Sequence, residues 1–260
     1  MKKTHHSQAL KLLFLLGISI NLQAQDLRSP FRDGYLRIGL NTLGKGLDYN
    51  LPPKQNVFNG RYGAKTGYVI EFGRLFYFKS RYTKEPINYG IDWTLLSLNY
   101  NKTDEWVDYA LQSGGASKNA TDTRIAAAIS SKLGPVISFN PIEKVVFDAR
   151  IQVVPIIRFF DLLYHQNEDE PNERYFTFAN YSREEDDPNF DAEDVKNRMA
   201  FGMETSFGLT LRRKSIGLAI DYVQGKVKTN YNAYEANEGA TSGRVKISTP
   251  NMQVKLSVTL

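Results

Sequence analysis

Few residues in this chain could do chemistry. His165 is the one histidine beyond the sixth residue, and with Ser182 it makes the only pair from which a lipid hydrolase could be built. Their spacing matches no nucleophile–base arrangement. There is no nucleophile elbow, phosphate loop or zinc-ligand spacing. No catalytic residue, metal centre or cofactor is therefore assigned. From Asp161 to Asp194 there are twelve acidic residues and two arginines, Arg174 and Arg183. Within this stretch Asp187, Asn189 and Asp191 place side-chain oxygens at alternate positions, as a calcium loop begins. Ala192 then stands where the turn glycine should be, and Arg198 where the bidentate glutamate should be. The expectation is a weak divalent-cation site, an acidic docking surface, or a solvated loop that keeps its charge away from anionic lipid.

A second group of ionisable residues is placed by periodicity: Arg37, Glu71, Asp92, Arg124, Asp148, Arg150, Glu204, Arg212 and Asp221. Each alternates with apolar residues, and each shares its face with small ones, including Gly39, Gly73, Gly90, Ala126, Gly208 and Gly217. Exposed strand positions do not favour so much glycine, which weakens strands. A narrow interior does, because space is short and the remaining volume can hold pairs of opposite charge. Buried charges need such pairing. These nine residues are expected to form an inward-facing charge network.

The elements that would position them are strands, because the dominant period is two. Leu36, Ile38 and Leu40 alternate with Arg37, Gly39 and Asn41; Phe201 through Leu211 and Ile216 through Tyr222 behave alike. About eight such runs occur, most at or beyond the 9–11 residues of a tilted membrane strand. The last starts near Arg244, shifts its apolar register at Pro250, and carries Val254, Leu256, Val258 and Leu260 on one face. Three connections are short: Lys79 to Pro86, residues 140 to 144, and residues 213 to 215. Four are long: residues 43 to 65, 101 to 121, 161 to 196, and 231 to 243. Short and long alternate strictly. The fold expected is all-β: a closed antiparallel up-and-down transmembrane β-barrel with short periplasmic turns and long outer loops.

Residues 1–24 read as a signal peptide, with Lys2, Lys3 and Lys11 ahead of or beside the apolar run 12–20 and cleavage after Ala24. Residues 25–260 then form one barrel domain. Loss of those three lysines lowers the net charge from +5 to +2, so nucleic acid is not an expected partner. The chain has no cysteine, so the sheet itself must supply stability. Mean hydropathy is negative, as expected when only every second residue meets lipid. Tyr35, Phe76, Tyr77, Phe78, Tyr82, Tyr89, Phe139, Phe147, Phe159, Phe160, Tyr222 and Tyr231 fall near expected strand ends, where rings collect at membrane interfaces.

The signal segment, the strand-and-loop rhythm and the terminal strand together resemble the small eight-stranded outer-membrane β-barrel proteins of Gram-negative bacteria. The resemblance implies an outer-membrane location, contact with outer-membrane lipids and lipopolysaccharide, and a C-terminal strand read by the barrel-assembly machinery. Leu260 stands where that family usually has an aromatic residue. The function expected is non-catalytic: surface binding, anchoring or complex formation, with a protein partner or ligand at the outer loops. A narrow charge-lined pore and an outer-membrane lipid hydrolase are the alternatives. If side chains plug the bore, removing Arg150 should raise conductance.

Overall fold

The computed structural model describes residues 30–80, 83, 85–112, 124–166, 173–178, 198–235 and 238–260. The expected signal segment lies outside them. Ten antiparallel strands follow in chain order: β1 (Gly34–Leu43), β2 (Gly67–Tyr77), β3 (Ile87–Lys102), β4 (Arg124–Ile142), β5 (Val145–Gln166), β6 (Arg174–Thr177), β7 (Met199–Arg213), β8 (Ile216–Glu235), β9 (Gly239–Ser248) and β10 (Asn251–Thr259). Two short helices interrupt the loops, α1 (Pro53–Phe58) and α2 (Glu105–Gln112).

Eight strands close into a ring in the order β1-β2-β3-β4-β5-β7-β8-β10, and β10 returns to β1. The seam pairs Tyr35 with Thr259, Ile38 with Leu256 and Leu43 with Asn251. No edge is left along it, which is the condition for a sheet in hydrocarbon, where an unpaired amide has no water to turn to. The other two strands extend the wall. Above the level where β7 begins, β6 takes its place between β5 and β8; β9 continues the line of β10 along β8. The terminal run is thus two strands, parted at Thr249-Pro250 because proline cannot donate to a ladder.

Alternation sorts the side chains. Ile38, Leu40, Ile137, Ile151, Leu209, Leu218 and Leu256 point outward, each roughly 40 to 60% exposed. Arg37, Asp92, Arg150, Asp221 and Lys255 point inward and are buried. A soluble barrel would show the reverse. An apolar exterior around a polar interior makes this a transmembrane barrel. No described helix is long and apolar enough to cross a membrane, so the strands do the crossing.

The turns at one end are tight. Glu143-Lys144 joins β4 to β5, and Lys214-Ser215 joins β7 to β8. Lys144 and Lys214 adopt left-handed φ values of 67° and 58°, the conformation a two-residue hairpin turn demands. Strand β4 runs through Pro141, so the turn expected at residues 140 to 144 is shorter than the sequence indicated. At the same end Phe76, Phe78, Tyr89, Phe139 and Phe147 face outward as an aromatic girdle. Four of the other expected interface rings face inward instead. Tyr35 and Phe160 are buried in the bore, Tyr77 packs beside Tyr35, and Tyr231 meets Phe58 edge-on. Their strand parity, not their nearness to a strand end, decided this. Tyr82 lies outside the described residues.

A lipid-facing cation at the seam should be costly. Leu256, between Ile38 and Leu218, sits midway along β10. Leu256→Arg is expected to destabilise the barrel by about 2–4 kcal/mol, measured as a lower urea midpoint in lipid bilayers.

Candidate functional site

The bore is filled at three levels. At its centre Lys255 of β10 reaches Glu71 of β2 at 2.6 Å and also contacts Asp221 of β8. Lys132 of β4 meets the other oxygen of Glu71 at 2.6 Å and lies 3.5 Å from Asp221. Arg150 of β5 pairs with Asp221 and lies 3.7 Å from Asp92. Arg37 of β1 lies 3.6 Å from Asp92 and 3.9 Å from Glu71, with its guanidinium 3.7 Å over the Tyr35 ring. The Tyr35 hydroxyl donates to Asp92 at 2.6 Å. Gln253 ties the cluster together: its carbonyl accepts from Lys132 and Lys255, each at 3.0 Å, and its amide donates to Asn99 at 2.9 Å. These side chains come from seven different strands, so the cluster pins the ring across its diameter.

Glycine makes the space. A Cβ at Gly208 would lie against the Asp221 carboxylate and the Arg150 guanidinium, and one at Gly73 would lie against the Tyr35 hydroxyl. The inward-facing glycines are therefore what let full-length arginines cross a narrow bore.

At the tight-turn end the bore is stoppered. Phe31 is fully buried, with its ring 5.5 Å from that of Tyr77. Arg212 donates to the Pro30 carbonyl at 2.9 Å and lies 3.2 Å from Asp148. Arg32 donates to the Ser215 hydroxyl at 2.6 Å. At the loop end Arg158 lies 3.5 Å from Glu204, to which Thr249 also donates. Above this pair sits a cap of apolar and aromatic side chains. Trp106 and Tyr109 of α2 stack around Tyr164 of β5 with ring centroids 5.1 and 5.5 Å away. Tyr62, Phe160, Phe178 and Phe176 continue the cluster. Loop β1–β2 is tied in by Trp106 donating to the Tyr62 carbonyl at 3.0 Å and by Tyr62 donating to the Ser248 carbonyl at 2.6 Å. Burial pushes the Tyr62 phenol up, so it remains a neutral donor.

Of the nine residues expected inside, eight are buried in the bore: Arg37, Glu71, Asp92, Asp148, Arg150, Glu204, Arg212 and Asp221. Arg124 is a correction. It is the first residue of β4, 30% exposed at the outer mouth, and faces Asp104 at 3.6 Å. Parity gives a direction, but at the rim the inward direction opens onto the loops. Lys132, Arg158 and Lys255 were missed, although each has inward parity beside an outward apolar neighbour. His165 is paired with Glu173 at 3.0 Å on the loop-end wall. Ser182, Asp187, Asn189 and Asp191 lie outside the described residues. Among the described residues no cluster of potential ligands gathers to hold a metal ion.

No protein-family model matches the chain, and no curated protein does. Solved structures overlap it loosely. Neisserial surface protein A is 6% identical, with a TM-score of 0.33 over 87% of this chain and 97% of that one. The outer membrane protein OprG of Pseudomonas aeruginosa is 8% identical, with a TM-score of 0.33 over 88% and 96%. A deletion mutant of TodX, a monoaromatic hydrocarbon channel, is 11% identical, with a TM-score of 0.31 over 84% of this chain and 54% of that one. The assignment to the outer-membrane class of barrel rests on this chain's own closed ring, apolar exterior and alternation of short turns with long loops.

Two measurements bear on this packing. Lys255→Met removes one cation from Glu71 and Asp221, which keep Lys132 and Arg150 as partners, so the loss should fall below the ~3–5 kcal/mol of a fully broken buried pair; the temperature at which the folded band shifts on an unboiled gel should fall. Trp106→Ala removes a fully buried ring from the cap, where such losses cost about 3–5 kcal/mol. Hydrogen exchange should then rise in α2 and loop β1–β2 while the membrane ring stays protected.

Proposed function

We propose that this outer-membrane barrel is a non-catalytic anchor that works through its outer surface, binding a ligand or partner there instead of passing solutes. The observation that carries this reading is the closure of the bore in series: Phe31 at one mouth, the charge cluster at the centre and the aromatic cap at the other. Eight strands leave an interior that side chains can fill. Here those side chains are bonded to one another across the ring, so opening a path would leave charges buried without partners.

The competing reading, a charge-lined pore, is separated by conductance. In planar bilayers the wild-type barrel is expected to pass no more current than bare lipid. Contrary to the expectation from sequence that removing Arg150 would raise conductance, Arg150→Ala alone should also remain closed, because the two plugs lie in series with it. Combining Arg150→Ala with Phe31→Gly and Trp106→Ala should open a measurable path. Steady wild-type conductance, or uptake of small sugars into proteoliposomes, would defeat the anchor reading.

A further inference from the structure

The wall that β8 and β9 raise above the apolar belt carries charges the bore does not use. Lys226 and Lys228 of β8, with Arg244 and Lys246 of β9, are all exposed. Val227, Thr229 and Ile247 between them are buried, so alternation turns the four cations outward together. Lys228 stands directly opposite Lys246, with Lys226 opposite Ser248 and Arg244 opposite Asn230. The result is a ladder of positive charge about 14 Å tall, at about 3.4 Å per residue. Like charges directly opposite weaken a strand pair. Among the described residues no ion pair joins any of the four to a carboxylate. Three other cations of the loop end are neutralised, Arg124 by Asp104, Arg198 by Asp161 and Lys54 by Glu238, while the exposed Lys45, Lys65 and Lys102 lie on other strands and loops.

The height of the ladder indicates its occupant. Phe201 of β7 faces Lys228 and Met203 faces Lys226, and both are outward members of the belt. Below them Tyr222 pairs with Met252, also outward. A span that begins at Ile216 uses about 9–11 residues, which places the hydrocarbon boundary near Lys226. The ladder therefore starts where acyl chains end and headgroups begin. Lysine and arginine stems can lie along the belt while their charges reach the headgroup layer.

We propose that this ladder binds the phosphate groups of lipopolysaccharide in the outer leaflet, with the lipid's acyl chains lying on Met203, Tyr222 and Met252. The proposal rests on the membrane-barrel reading. It commits to a lipid source of phosphate because the cations adjoin the apolar belt instead of the solvated loop tips.

The test uses the full chain in detergent micelles. Native mass spectrometry titrates it with lipid A carrying both phosphates and with the same lipid dephosphorylated. The wild type should prefer the phosphorylated lipid. A variant carrying K226Q, K228Q, R244Q and K246Q should lose that preference, on the order of a thousandfold if each cation contributes as it does near an anionic membrane surface. Equal binding of both lipids by the wild type, or unchanged preference in the variant, overturns the proposal. Inorganic pyrophosphate binding as tightly as the lipid would assign the ladder to a soluble anion and also overturn it. If the fourfold variant loses its heat-dependent gel shift, the K228Q/K246Q pair replaces it, with a loss of about thirtyfold expected. A wild type with no gel shift would strike the barrel reading; a retained shift without lipid discrimination strikes this inference alone.

Discussion

A backbone amide in hydrocarbon has only other backbone to bond with, and most of this structure follows from that constraint. It forces the sheet to close, so β10 must return to β1 in a defined register. Closure creates a bore, and a bore of eight strands is too narrow for bulk solvent. Within the belt the inward side chains are then buried whether or not they are polar. The cations and carboxylates that face inward must neutralise one another, because an isolated charge in such a site is far more costly than a paired one. Lys255 illustrates the coupling: it belongs to the closing strand, and its two carboxylate partners lie on strands to either side of the seam.

Two kinds of interior follow one another along the barrel axis. Within the belt the core is ionic, as it can be when the apolar surface is spent on lipid contact. Above the belt β5, β6, β8 and β9 stand in water, and their inner face reverts to the apolar packing of a soluble protein, with α1 and α2 folded into the mouth. The two halves of one strand thus obey opposite rules. In β8, the outward residues run from Ile216, Leu218 and Ile220 to Lys226 and Lys228, while the inward ones run from Asp221 to Val227 and Ala233. The change of rule marks the membrane boundary.

On the anchor reading proposed above, this arrangement moves function to the outside. A bore crossed by bonded side chains and plugged at both mouths is a structural core, which leaves the rim and the loops as the exposed chemistry. Among the described residues the exposed chemistry above the belt is uneven: single or paired charges around much of the mouth, and a clustered basic ladder on the β8–β9 wall.

The closed all-β architecture was legible in the sequence because period-two alternation is local and a one-residue slip would put the whole apolar set on the wrong face. The tight turns were legible for the same reason, and so was the inward direction of Arg37, Glu71 and Asp221; the long loop expected at residues 231 to 243 proved to be mostly the paired tops of β8 and β9. What alternation could not reveal is distance along and across the axis. It gave Arg124 an inward direction without showing that the position lies at the rim. It could not show that Lys132 and Lys255, on strands far apart in the chain, share Glu71, nor that α2 folds back to meet Tyr164. It treated Tyr35 and Phe160 as interface rings because they lie near strand ends, when parity places them in the bore. Local periodicity determines which face a residue takes; only closure of the ring, which brings residues some 180 positions apart into contact, decides what that face meets.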